Sequence, residues 1–101
     1  MNKTKIYFVV IIFSFLHAQN VDMYISLLEK GNIKDVRETL PELFSKFPKD
    51  PGVLYLKSIL TEDGDSAIKQ YKNIIKNYPE SKYAPDSAMK LGEYFYAKGL
   101  Y

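Results

Sequence analysis

Apolar side chains recur along the chain at helical spacing, in five stretches divided by turn-forming residues. The first holds Val21, Tyr24, Ile25 and Leu28 and closes at Gly31-Asn32. The second holds Ile33, Val36, Leu40, Leu43, Phe44 and Phe47 and closes at Pro48. The third covers about residues 52–60, with Leu54, Tyr55, Ile59 and Leu60. The fourth holds Ala67, Ile68, Tyr71, Ile74, Ile75 and Tyr78 and closes at Pro79. The fifth holds Ala84, Ala88, Leu91, Gly92 and Phe95 and closes at Gly99. No alternating strand pattern of useful length interrupts them. The pattern predicts an all-α chain of about five helices, with short loops and antiparallel neighbours.

The breaks carry capping chemistry. Asp65 and Ser66 are placed to accept from the free N–H groups opening the fourth helix. Pro85-Asp86 suits the first turn of the fifth, where proline loses no hydrogen bond. Gly31 and Gly99 suit the left-handed conformation that ends a helix. Pro41 falls inside the second stretch and predicts a bend. Thr39 and Glu42 have capping-box spacing, which offers a fresh helix start instead.

Sliding the chain on itself until Val36 lies on Ala67 also lays Leu40 on Tyr71, Leu43 on Ile74, Phe44 on Ile75, Phe47 on Tyr78 and Pro48 on Pro79. A residue that lets helices approach, then large residues one and two turns later, then a helix stop is a packing repeat. Ala67, Tyr71, Ile74 and Pro79 resemble the second-helix signature of tetratricopeptide repeats. Leu91, Gly92, Phe95, Gly99 and Tyr101 resemble the first-helix signature of a following unit. Val36, Leu40, Leu43 and Pro48 form an earlier, weaker copy, with Val36 where a small residue is usual and Tyr24 where glycine is usual.

The connection Tyr78-Pro79-Glu80-Ser81-Lys82-Tyr83-Ala84-Pro85 is similar to the bacterial envelope branch of that family. This branch includes the Tol–Pal coordinator and BamD-like assembly factors. Asp50-Pro51-Gly52-Val53-Leu54-Tyr55-Leu56 and the segment from Tyr94 to Tyr101 are similar to envelope proteins that carry such repeats ahead of a SPOR domain. The resemblance implies a TPR-like α-solenoid fragment that binds a protein or peptide partner in the envelope. It implies peptidoglycan binding only through a domain that these residues do not contain.

The first residues add an address. Lys3 and Lys5 precede an apolar run from Ile6 to Leu16, broken only by Ser14, and Ala18 is a small residue at a cleavage position. The run is short for a bilayer span of roughly 17–25 residues. The expected organisation is a signal peptide over 1–18 and a helical repeat region over 19–101, incomplete at its C-terminal end. The location is then periplasmic or secreted, with membrane contact only through the signal segment. An uncleaved anchor or a buried N-terminal helix are the other readings. Cleavage after Ala18 removes Lys3 and Lys5 from the 14 basic side chains and none of the 12 acidic ones, so the two signs balance. That neutral balance gives no case for nucleic acid. With no cysteine there is no disulfide, thiol nucleophile or lipid-attachment site, which favours a soluble periplasmic member over a BamD-type lipoprotein.

The candidate chemistry is sparse. Glu62-Asp63-Gly64-Asp65 lacks the spacing of a calcium loop and reads as a polar turn into a capped helix. Glu93 with Asp86 or Glu80 could form an acid–base pair, but such work needs a cleft and shifted pKa values. No catalytic residue, metal site or cofactor is expected. Lys69, Lys72, Lys76 and Lys82 form a basic set that reads first as a solvated face and second as a site for an acidic peptide. The aromatic residues mostly fill the spaces between helices. Tyr94 and Tyr96 flank Phe95 and are expected to be exposed. Tyr94, Phe95, Tyr96, Leu100 and Tyr101 are the candidate partner-binding residues. A unit ending at Tyr101 also leaves Leu91, Phe95, Leu100 and Tyr101 short of cover, which invites self-association. The alternative is therefore a complete small secreted helical protein that dimerises through this stripe.

Overall fold

A computed structural model of the chain describes residues 21–99. All regular structure among these residues is helical: α1 over 21–29, α2 Ile33–Lys46, α3 Pro51–Leu60, α4 Gly64–Asn77 and α5 Tyr83–Ala97. The expected signal segment at 1–18 and the candidate residues Leu100 and Tyr101 lie outside the described residues.

Local chemistry sets the boundaries. Gly31, at φ +91°, ends α1 with Asn32 N–H donating to Leu27 C=O at 2.9 Å and Gly31 N–H to Leu28 C=O at 3.0 Å. These bonds satisfy carbonyls that the helix end would orphan. Asp50 caps α3: its carboxylate accepts from Gly52 N–H at 2.8 Å and Val53 N–H at 3.2 Å, and Pro51 occupies the first helical position.

The cap of α4 is Asp63, not the expected Asp65 and Ser66. Asp63 has extended backbone (φ −72°, ψ 116°), and its carboxylate accepts from Ser66 N–H at 3.0 Å and Ser66 Oγ–H at 2.6 Å. Ser66 is thus a donor inside the first turn, and those bonds hold the Asp63 carboxyl below its ordinary pKa. Helix α5 likewise starts at Tyr83, ahead of the expected Pro85. Ser81 Oγ accepts from Tyr83 N–H at 3.1 Å, and Pro85 remains within the first turn, where no N–H is needed.

Helix α2 runs through Pro41 as one helix of 14 residues. Proline there lacks the N–H that would bond the Arg37 carbonyl, at a cost of about 3 kcal/mol. The fresh start at Thr39 does not form, because the Thr39 hydroxyl donates to Asp35 C=O at 3.0 Å instead of capping a new helix. Pro41 itself is exposed.

The internal repeat is present in the backbone. Helices α2 and α4 are both 14 residues long, and the offset that lays Ile33 on Gly64 also lays Lys46 on Asn77. Phe47 and Tyr78 close them with nearly the same dihedrals, φ −133°, ψ 61° and φ −132°, ψ 54°. Each donates its N–H one turn back, to Leu43 C=O at 2.9 Å and Ile74 C=O at 2.8 Å. Asp50 is the N-cap of α3, whereas α5 has Lys82 there with no side-chain cap bond; Ser81, at the place equivalent to Asp50, accepts from Tyr83 N–H as Asp50 does from Gly52 N–H. Helices α2 and α4 therefore match in length and closing geometry, while α3 and α5 differ, at 10 and 15 residues.

Helix α3 is the centre. It packs against α2, α4 and α5, and six of its ten residues are buried. Val53 and Leu56 are fully enclosed, among Val21, Val36, Leu60, Tyr71 and Ile74. Burying one such aliphatic side chain stabilises the fold by about 1.5–3 kcal/mol. Gly52 marks the closest approach: a Cβ there would lie 2.9 Å from both the Tyr83 ring and Val21. At the position equivalent to Leu56 the second unit has Ser87, also fully buried, whose Oγ has no hydrogen-bond partner.

Candidate interaction surface

Three buried tyrosines from three helices form a row. Tyr83 of α5 stacks on Tyr55 of α3, with centroids 5.5 Å apart and planes at 29°. Tyr55 in turn meets Tyr71 of α4 at 6.1 Å and 59°. The hydroxyl of Tyr83 donates to Asp22 Oδ1 of α1 at 3.0 Å, and Lys82 Nζ donates to both oxygens of the same carboxylate at 2.8 Å. The Lys82 bond, helped by Tyr83, outweighs desolvation and lowers the Asp22 pKa. Burial and the adjacent Asp22 raise that of Tyr83. Helix α1 is thereby tied to the start of α5, far away in sequence.

Tyr55 and Tyr71 are 6% and 8% exposed. Burial pushes both phenols up to about 12; the charges of Asp86, Glu93 and Glu29 add to this at Tyr55, and that of Glu93 at Tyr71. Both are therefore neutral hydroxyls over the ordinary pH range, each able to give and accept a hydrogen bond. The carboxylates around them come from α1 and α5. Asp86 and Glu93 stand two turns apart on one face of α5 and are exposed, as is Glu29. Sequence reasoning raised Glu93 and Asp86 only as an acid–base pair and missed their relation to Tyr55. Their helical spacing was the available signal; the meeting of α1, α3 and α5 was not.

The candidate partner-binding residues of α5 separate. Tyr96 is 72% exposed, and Met89, two turns earlier on the helix, is 66% exposed. Tyr94 is half-buried, not exposed as expected. Its ring lies over Gly64, where a Cβ would come within 2.8 Å of it, and its hydroxyl donates to Asp65 Oδ1 at 3.3 Å. Phe95 is half-buried, edge-on to Tyr94 at 5.8 Å, with Lys72 Nζ 5.9 Å from its ring centre. Gly92, read as a packing residue, faces open space: a Cβ there would meet nothing within 4 Å. Leu91 is half-buried and packs against the core, while Ala88 is exposed. Of the remaining repeat-signature positions, Val36, Tyr71 and Ile74 are buried and Leu40, Leu43 and Ala67 half-buried. Pro48 and Pro79 are exposed, as helix stops, and Gly99 takes φ +72° after α5.

Lys69, Lys72 and Lys76 share one exposed face of α4, and Lys82 leaves the set. Lys82 is taken by Asp22 and lies 5.3 Å over the Tyr83 ring, while Lys72 sits by Phe95. Lys69 instead joins Lys57 at a shallow groove of about 240 Å³ between α3 and α4, with Leu54, Gln70 and Asn73. The acidic turn is likewise shared out. Glu62 pairs with Arg37 at 3.5 Å, Asp63 caps α4 and Asp65 receives Tyr94. Among the described residues no group of His, Cys, Asp and Glu is placed to hold a metal, and no helix is long and apolar enough to cross a membrane. No family model, curated protein or solved structure matches the chain.

Proposed function

We propose that the chain is a TPR-like α-solenoid piece that serves as a non-catalytic protein–protein interaction scaffold of the bacterial cell envelope. In this reading it is exported by the segment 1–18 and belongs to a peptidoglycan-associated SPOR protein or to an assembly factor of the Tol–Pal or outer-membrane type. The observation that supports this most is the structural repeat relating α2 to α4, with matched helix lengths and matched closing dihedrals. Stacked helix hairpins of one design bury a continuous core and present long side-chain faces, which suits binding more than chemistry. The experiment is expression of the full chain in a bacterium, followed by fractionation and N-terminal sequencing of the product. The expected result is a periplasmic product beginning at Gln19, held in a complex larger than its own dimer. A cytoplasmic product that keeps the segment 1–18 and sediments alone refutes the reading.

One observation favours a second reading, self-association. Along α5 the side chains of Ala88, Met89 and Tyr96 are exposed around the open position of Gly92. An apolar face of that kind is a contact site by default. Sedimentation equilibrium of the chain and of a Tyr96→Glu variant separates the two. A dimer that the variant dissolves supports this reading, and a monomer in both refutes it.

A further inference from the structure

Helices α3 and α4 leave a shallow groove of about 240 Å³ between them, lined by Leu54 and Lys57 of α3 and by Lys69, Gln70 and Asn73 of α4. That is below the roughly 300–1,000 Å³ of a small-molecule site and gives room for a side chain rather than a cofactor. Helical spacing builds the lining. Leu54 and Lys57 stand one turn apart on α3, as Lys69 and Asn73 do on α4, so each helix gives one short stripe to the gap.

The lining is rich in hydrogen-bond donors and holds no carboxylate. Neither Lys57 nor Lys69 is ion-paired among the described residues. Lys57 Nζ lies 4.3 Å over the Phe44 ring of α2, a contact that steadies the ammonium without cancelling its charge. Asn73 Oδ1 accepts from Asn77 Nδ2, which leaves the Asn73 amide N–H groups to donate. Gln70 Nε2 donates to Thr61 Oγ1 at 3.2 Å and has a second N–H left. The carboxylates of the turn before α4 are engaged elsewhere: Glu62 pairs with Arg37, Asp63 caps α4 and Asp65 receives Tyr94. Lys72 and Lys76 extend the same exposed face of α4, and Lys72 carries it to α5, 5.9 Å from the Phe95 ring centre.

We propose that this groove takes an aspartate or glutamate side chain from an acidic segment of a partner protein. The two ammonium groups attract the carboxylate, the Asn73 and Gln70 amides donate to its oxygens, and Leu54 meets its methylene groups. Neighbouring carboxylates of the segment lie along Lys72 and Lys76, which leads the partner across α4 toward the exposed side chains of α5. This deepens the scaffold reading and rests on it for the partner being a protein.

The test is a titration of the isotope-labelled full chain with acetyl-Glu-Ala-Glu-Ala-Glu-amide, followed by amide chemical shifts. Parallel titrations use the peptide with lysine in place of glutamate, and inorganic phosphate. The largest shifts are expected at Lys57, Lys69, Gln70 and Asn73. The double variant Lys57→Gln, Lys69→Gln weakens binding by about threefold to tenfold. Asn73→Asp sets a carboxylate in the groove and weakens binding at least as much. Lys69 and Asn73 are exposed, so their replacement leaves the fold intact. Lys46→Gln is an equal loss of charge on α2, where Lys46 pairs with Glu42, and it leaves the affinity unchanged. An equal loss in Lys46→Gln, unchanged affinity in the groove variants, equal binding of the lysine peptide, or phosphate binding that matches the glutamate peptide each overturn the proposal. Failure here with export and complex formation intact removes the acidic ligand and leaves the scaffold standing.

Discussion

Replacing Gly52 by alanine tests the packing at the point where α1, α3 and α5 meet. The new Cβ would stand 2.9 Å from Tyr83 Cε2, 2.9 Å from Val21 Cγ1 and 3.1 Å from Asp50 Oδ1. None of the three can give way cheaply. Tyr83 is 7% exposed and stacked on Tyr55, Val21 is 1% exposed, and the Asp50 oxygen is the cap of α3. Overpacking of this kind costs about 1–3 kcal/mol, and a displaced cap costs about 1 kcal/mol more. Against this, alanine gains at most about 1 kcal/mol over glycine in a helix. The net expectation is a loss of about 1–3 kcal/mol. For a domain of this size each kcal/mol lowers Tm by about 4–8 °C. Gly92→Ala is the internal control. It has the same helical gain and nothing within 4 Å to meet, so it raises stability by about 0.5–1 kcal/mol. The assay is thermal and urea unfolding of both variants beside the parent chain. Equal shifts in the two, or a stabilised Gly52→Ala, would refute the account of the three-helix junction.

Ser87→Ala removes a fully buried hydroxyl with no partner and should raise stability by about 1 kcal/mol in urea unfolding; a loss of that size would mean the hydroxyl has a partner. Leu56→Ala, at the equivalent place in the first unit, should cost about 2–5 kcal/mol in the same assay. Tyr55 and Tyr71 ionise at about 12 in the folded chain against about 10 when unfolded. Their share of stability is therefore complete below about pH 10 and lost as pH rises toward about 12. Tyrosinate absorbance should climb late, together with loss of helical circular dichroism. Asp22 and Asp63 act at the other end: their lowered pKa values make stability full above the ordinary carboxylate range and lost as pH falls through them. Asp22→Asn should flatten part of that acid slope.

The helices were legible because the apolar spacing and the stops at Gly31, Pro48, Pro79 and Gly99 agree with one another. The offset that pairs Val36 with Ala67 and Leu43 with Ile74 was legible for the same reason, and the backbone carries it. The cap at Asp63 was not. Asp63, Asp65 and Ser66 are all good cap residues, and the choice among them depends on which backbone is extended where α3 turns into α4. Pro41 suggested a bend, with a fresh start at Thr39 as the other choice, and the helix continues through it as one element. The tyrosines were visible as residues but not as a row, since stacking Tyr83 on Tyr55 requires α5 to return against α3. Tyr94 was misplaced because the room for its ring is made by Gly64, at the start of the preceding helix. Glu29 drew no notice, since nothing in its local sequence links it to a tyrosine two helices away.

The scaffold reading meets its most direct test in photo-crosslinking within a bacterium that expresses the chain. A benzophenone amino acid is placed singly at Asp86, at Tyr96 and at Ser45, all of them exposed and the last on α2. The expected result is a protein adduct of constant mass from the α5 positions and none from Ser45. Labelling that is equal at all three, or absent from α5, would contradict it.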